Sequence, residues 1–303
     1  MVAGEDGAAP RRVAFDVPEF SVTPEAPDDL DTVSRETEAR LPRPSHPRVF
    51  VVANQKGGVG KTTSVVNLAT ALAKGGLRTL VVDLDPQGNA STALGIDHRE
   101  GVPGSFEVLS GSPMADLVQR SPESPSLWVL PATIDLAGAE IGLVSAFARE
   151  SKLRHAVDAF LHAEPMDYVF IDSPPSLGLL TVNAFVAAQE ILIPIQCEYY
   201  ALEGLSQLLR TIELVRGSMN PKLVVTTVLL TMFDARTRLS SQVADEVRQH
   251  FPRETLEAVI PRSVRVSEAP SYGQSVLSYH AASAGAQAYL AAAEEIARRG
   301  TQG

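Results

Sequence analysis

An apolar run, Val49-Phe50-Val51-Val52-Ala53, leads into Lys56-Gly57-Gly58-Val59-Gly60-Lys61-Thr62-Thr63, and helical periodicity follows from Ser64 to Ala73. A strand, a glycine-rich turn and a helix in that order form the setting of a phosphate-binding loop. Gly57, Gly58 and Gly60 free the backbone to turn its N–H groups onto an anion, and the helix start adds the positive end of its dipole. Lys61 is expected to reach the β- and γ-phosphates of a nucleotide, and Thr62 to place its hydroxyl on Mg²⁺. An ordinary tight turn explains the glycines but not two lysines and a threonine pair at this spacing.

The rest of the chain supplies the frame such a loop needs. Gly75-Gly76 closes the first helix. Arg78 to Asp83, Leu127 to Ala132, Tyr168 to Asp172, Glu190 to Ile195 and Lys222 to Leu230 read as buried strands. Helical periodicity lies between them at Leu136 to Phe147, Leu153 to Leu161, about Glu203 to Arg216, and Leu239 to Phe251, and a last helix runs from about Ala284 to Arg299. Near-continuous apolar strands alternating with helices predict an α/β fold: a doubly wound, mostly parallel sheet flanked by helices. Such sheets bind ligands at the carboxyl ends of their strands. Two strands end there in acids, one at Asp83-Leu84-Asp85-Pro86-Gln87-Gly88 and one at Asp172-Ser173-Pro174-Pro175. Asp172 in register with the loop is expected to share Mg²⁺ with Thr62, through water.

At 303 residues the chain has room for one large domain plus an appendage. Residues 1–47 are rich in proline and acids with weak apolar periodicity, so a disordered arm is expected there and the folded domain from 48 to 303. Within the arm, Arg11 to Phe20 could dock on a partner, although a solvated tail also accounts for it. The single cysteine, Cys197, allows no internal disulfide and reads as a packing residue, as does Trp128. A net charge of −10 argues against a uniformly basic nucleic-acid binder but leaves room for a local basic patch. No apolar run is long enough for a bilayer, and the expected location is the cytoplasm.

The loop departs from the general pattern G-x-x-x-x-G-K-[ST]: Gln55 stands where that pattern has its first glycine, and Lys56 opens the loop. In this it resembles the deviant Walker A motif of the ParA/MinD family of P-loop ATPases, and the chain looks like a chromosomal ParA type over roughly residues 48–299. The resemblance implies that Lys56 crosses a dimer interface to the partner's phosphates, and that Asp85, in the stretch matching switch I, orients the attacking water. It implies that Ser173-Pro174-Pro175 is switch II and that the adenine lies near Met232 and Pro261. Ser263 stands where members often carry Asn. Arg236 and Arg265 fall where the family contacts DNA backbone, and exposed guanidiniums bind phosphate without reading sequence.

The function implied is that of a slow, switch-type ATPase with ATP and Mg²⁺ as cofactors. An ATP-bound homodimer would bind non-specific DNA, associate with the nucleoid and partition a chromosome or plasmid. A ParB-like protein would stimulate its hydrolysis. No membrane partner is expected, because the last helix is mostly alanine with Glu294-Glu295 inside it, and alanine buries too little area to anchor in lipid. Two alternatives stand beside this reading. One is a positioning ATPase of the same family with another cargo. The other is a metabolic P-loop enzyme, such as an amide ligase or a reductase component; a reductase holding an iron–sulfur cluster would need more cysteines than Cys197.

Overall fold

The structure is a computed structural model that describes residues 40–143, 146–198 and 203–301. The expected disordered arm therefore lies, for residues 1–39, outside the described residues. Packing onto the body begins ahead of the expected start at Arg48. The Leu41 N–H donates to Gly75 O at 3.0 Å, and the Leu41 side chain packs on the apolar layer that contains the helices Lys61–Lys74 and Ala284–Gly300.

The strands are β1 (Arg48–Val52), β2 (Thr79–Asp83), β3 (Gln119–Arg120), β4 (Leu127–Leu130), β5 (Tyr168–Asp172), β6 (Glu190–Gln196), β7 (Val224–Phe233) and β8 (Thr255–Pro261). They form one sheet in the order β3-β4-β2-β5-β1-β6-β7-β8, parallel throughout except that β3 runs antiparallel to β4. This is the expected doubly wound α/β fold. Every residue of β1, β2 and β5 is buried, as a sheet covered on both faces requires.

Alternation along each strand divides the core. Val49 and Val51 join the layer that includes the helices Lys152–Ala163, Leu179–Ala187 and Glu203–Ser218. Phe50 and Val52 join the layer built on helix α1 (Lys61–Lys74) and the helix Ala284–Gly300. Helix α1 is buried on nearly every side and so occupies the centre of its layer. It ends in a Schellman turn: Gly76, at φ +84°, donates to Ala73 O and Leu77 to Leu72 O.

Three local readings change. The expected helix from Leu136 to Phe147 is instead a 3₁₀ segment, Ile134–Gly138, followed by a short turn of helix, Ala139–Gly142. Gly138 and Gly142 weaken helix propagation, and Ala148 adopts a left-handed φ of 52°. The helix Leu179–Ala187 has no exposed polar face, because even its Thr181 and Asn183 are buried, and so shows no periodicity. Trp128 is half-buried rather than core, with the guanidiniums of Arg78 and Arg120 over its ring at 4.9 and 5.5 Å. Cys197 is buried, as expected.

Candidate functional site: the phosphate loop and its acids

Strand pairing assembles the site. β5 lies between β2 and β1, with Asp172 opposite both Asp83 and Val52. The loop after β1 therefore emerges beside the two strand-end acids. It is held from both sides. Asn54 donates through Nδ2 to Pro194 O at 2.8 Å and accepts the Lys56 N–H at 3.0 Å, and the Thr231 hydroxyl donates to Val59 O at 2.9 Å. Gly58 and Gly60 have φ of +74° and +90°, which L side chains rarely adopt. Gly60 is the residue from which α1 starts, and its carbonyl accepts the Ser64 N–H at 2.8 Å. No side chain caps this end, so the first N–H groups of α1 face the loop.

The two lysines are placed differently. Lys61 is buried and its Nζ donates to Lys56 O at 3.3 Å. Burial lowers its pKa, opposed by the carboxylates of Asp172 and Asp85, so all three groups feel one another. Lys56 is partly exposed and its ammonium lies 3.7 Å from Glu198. Glu198 also accepts from Gln196 at 2.6 Å and Arg262 at 3.0 Å.

The three acids differ as well. Asp172 is fully buried, and neither of its carboxylate oxygens has a hydrogen-bond partner. Burial raises its pKa well above the usual carboxylate range and the Asp83 carboxylate adds to this, while Thr62 and Lys61 oppose it. A buried carboxylate without partners is costly, and a cation between it and the Thr62 hydroxyl removes that cost. The donor set of carboxylate and hydroxyl oxygens suits Mg²⁺. Asp83 is also fully buried, but its oxygens are occupied by Ser91 and by the Asp85 N–H. Burial pushes its pKa up to about 6. Asp85 is half-exposed and accepts the Gln87 N–H at 3.0 Å.

Met232 and Pro261 line one cavity together with Gly60, Thr63, Arg262 and Ser263. Met232 has φ +51°, uncommon outside glycine. The residues expected around a base thus stand beside the phosphate loop. Arg236 and Arg265 follow the ends of the paired strands β7 and β8. Each is exposed and ion-paired on its own segment, Arg236 with Asp234 at 2.8 Å and Arg265 with Glu268 at 2.9 Å. The guanidinium of Arg236 holds the Asp234 carboxyl down at about 2.

Sequence reasoning passed over Asp83, Asn54, Thr231 and Glu198. Asp83 carried a signal, the repeated acid in Asp83-Leu84-Asp85. The other three act through contacts with distant segments and carry none.

A family model described as an AAA domain matches residues 47–225. The chain is 53% identical over 253 residues to the chromosome partitioning protein ParA of Caulobacter vibrioides, covering 83% of this chain and 94% of that protein. It is 48% identical over 254 residues to the sporulation initiation inhibitor protein Soj of Bacillus subtilis, covering 84% and 99%. A solved structure titled cobyrinic acid a,c-diamide synthase from Mycobacterium smegmatis, with bound ATP analog and magnesium, superposes with a TM-score of 0.72 at 39% identity, covering 84% of this chain and 95% of that one. A second lysine ahead of the P-loop lysine, acids at two strand ends and this extent of identity agree: the chain belongs to the ParA/MinD family of P-loop ATPases.

Proposed function

We propose that this chain is a slow, switch-type ATPase of the partition kind, forming an ATP-bound homodimer that binds DNA without sequence preference. The division of labour between its two lysines carries the reading. Lys61 is buried in its own loop, whereas Lys56 stands partly exposed at the rim, held only by a partly exposed ion pair with Glu198 that it can exchange for phosphates on a second copy. Mg²⁺–ATP would supply the γ-phosphoryl group, which passes to water as inorganic phosphate while ADP departs as the leaving group. The loop from Lys56 to Thr63 binds the phosphates through backbone N–H groups, and Lys61 neutralises charge on the β- and γ-phosphates. Thr62 and Asp172 would hold the metal. Asp85 orients the water that attacks in line, and Lys56 of the other copy adds the last positive charge. Met232 and Pro261 flank the base.

Arg236 and Arg265 supply the DNA contact. Both guanidiniums are solvent-exposed, at 87% and 52%, so exchanging a carboxylate for a DNA phosphate costs little. Two copies double the contacts, which makes DNA binding depend on the dimer. A ParB-like protein stimulates hydrolysis and resets the dimer, and the protein works in the cytoplasm on the nucleoid. Among the described residues no helix is long and apolar enough to cross a membrane. Light scattering on a sizing column tests the core of this reading. A non-hydrolysable ATP analogue should double the mass of the wild-type chain but not of Lys61→Ala; a wild-type mass that ignores the nucleotide contradicts it.

The relative titled as a diamide synthase favours a second reading, an ATP-dependent amide-forming enzyme. A cavity lined by Thr62, Asn67, Asn89, Thr92 and Gln274 adjoins the loop and is where a second substrate would have to sit. ATP-dependent amidation of a carboxylic acid substrate, without any effect of DNA, would establish that reading in place of the first.

A further inference from the structure

We propose that Ser91 is a positioning residue for the Asp85 carboxylate, acting through Asp83. The inference rests on the reading of Asp85 as the group that orients water. Ser91 lies in helix α2 (Asn89–Ala93) and is fully buried. Its hydroxyl donates to Asp83 Oδ2 at 2.7 Å, and its backbone N–H donates to the same oxygen at 2.9 Å. The other oxygen, Oδ1, accepts the Asp85 N–H at 3.1 Å. The Ser91 hydroxyl also accepts the Ala132 N–H at 3.2 Å, at the end of β4. Leu84, between the two acids, donates its N–H to Asp172 O at 3.0 Å. The turn that carries Asp85 is thus pinned at its start by β5 and at its end by the bonds between Ser91 and Asp83.

The contrast with Asp172 separates two roles. Asp83 and Asp172 face one another in register on neighbouring strands, both fully buried. Asp172 keeps both oxygens without partners, as a group awaiting a cation would. Asp83 has three donors on its two oxygens, all from the turn or from α2. Its carboxylate is committed to holding backbone and is not free to take a metal. Charge-assisted bonds of this kind are short and directional, so losing the hydroxyl donor loosens Asp83 and with it the Asp85 N–H. Displacement of a catalytic group by a fraction of an ångström slows chemistry without weakening substrate binding to the same degree.

The test is ATP turnover by the full chain, titrated separately with ATP and with Mg²⁺. Ser91→Ala should lower kcat by about tenfold, with the KM for ATP and the Mg²⁺ half-saturation within about twofold of wild type. A structural role alone would not split kcat from KM. Asp83→Asn removes a buried like charge facing Asp172, so this variant should fold; it should be slowed at least as much, again with little change in Mg²⁺ dependence. Should Ser91→Ala fail to fold, Asp83→Asn decides by the same criteria. Wild-type kcat in either folded variant overturns the inference, and so does a Mg²⁺ half-saturation moved about tenfold or more, which would make Asp83 part of the metal site. A wild-type chain that hydrolyses no ATP overturns the ATPase reading itself; wild-type turnover with an unaffected Ser91→Ala overturns this inference alone.

Discussion

At the scale of single residues, three acids of one chemical type stand in three environments. Asp172 is buried without partners, Asp83 is buried and saturated, and Asp85 is half-exposed at the mouth. Removing Asp85 therefore leaves the glycine-rich loop and the buried Asp172 in place. Asp85→Ala should still form the nucleotide-dependent dimer while phosphate release falls by about 10²-fold; turnover at the wild-type rate would remove Asp85 from the chemistry. Cys197 has no part in that chemistry. It is 2% exposed and burial pushes its thiol up to about 11. At pH 8 such a thiol is about one part in a thousand thiolate, whereas an unperturbed one is roughly a quarter thiolate. Alkylation followed by mass spectrometry should be at least about 10²-fold slower in the native chain than in urea. Equal rates would place Cys197 at an accessible surface.

At the scale of elements, the phosphate loop was legible because its chemistry is local. Gly58 and Gly60 are glycines where the backbone turns to positive φ, and Lys61 is a lysine where a buried charge faces acids. The strands were legible for a similar reason, since burial on both faces writes an apolar run. What stayed hidden depends on distant segments meeting. Glu198 reads as one more acid after a strand until β6 brings it beside Lys56 and β8 brings Arg262 to it. Thr231 reads as the residue that follows an apolar strand until β7 extends through it and its hydroxyl reaches Val59 O. The helix Leu179–Ala187 was missed because a helix buried all round shows no face. Pairing of β7 with β8 also sets the segments carrying Arg236 and Arg265 just past the ends of neighbouring strands, which spacing along the chain does not show. Arg236→Ala with Arg265→Ala should preserve the nucleotide-dependent dimer and abolish retention of duplex DNA on a filter. Any residual binding should show a salt slope reduced by about one for each phosphate that no longer meets a guanidinium. Full retention of DNA by the double variant would place the patch elsewhere.

At the scale of the whole molecule, the sheet is tied to the helix Ala284–Gly300 through Arg48. Its guanidinium donates to Glu190 at 2.7 and 2.6 Å and to Ile296 O at 2.9 Å, and it stacks over the Phe50 ring at 4.7 Å. Both charges of the pair are largely buried, with side-chain exposures of 9% and 13%. Arg48→Met strands the Glu190 carboxylate and should cost about 3–5 kcal/mol in urea denaturation; Arg48→Met with Glu190→Leu should recover most of that loss. Equal losses in the single and double variants would show that the pair is not the source. This frame holds the loop, the acids and the arginine segments at the carboxyl ends of the strands, and the proposed function has nucleotide at one part of that end govern DNA at another. The direct test is binding of a duplex of arbitrary sequence, measured by filter retention with a non-hydrolysable ATP analogue, with ADP and without nucleotide, at low and at physiological salt. The account predicts binding with the ATP analogue and Mg²⁺ alone, falling steeply as salt rises, and absent in Lys61→Ala. DNA binding that is equal in all three nucleotide states, or absent in every one, would contradict it.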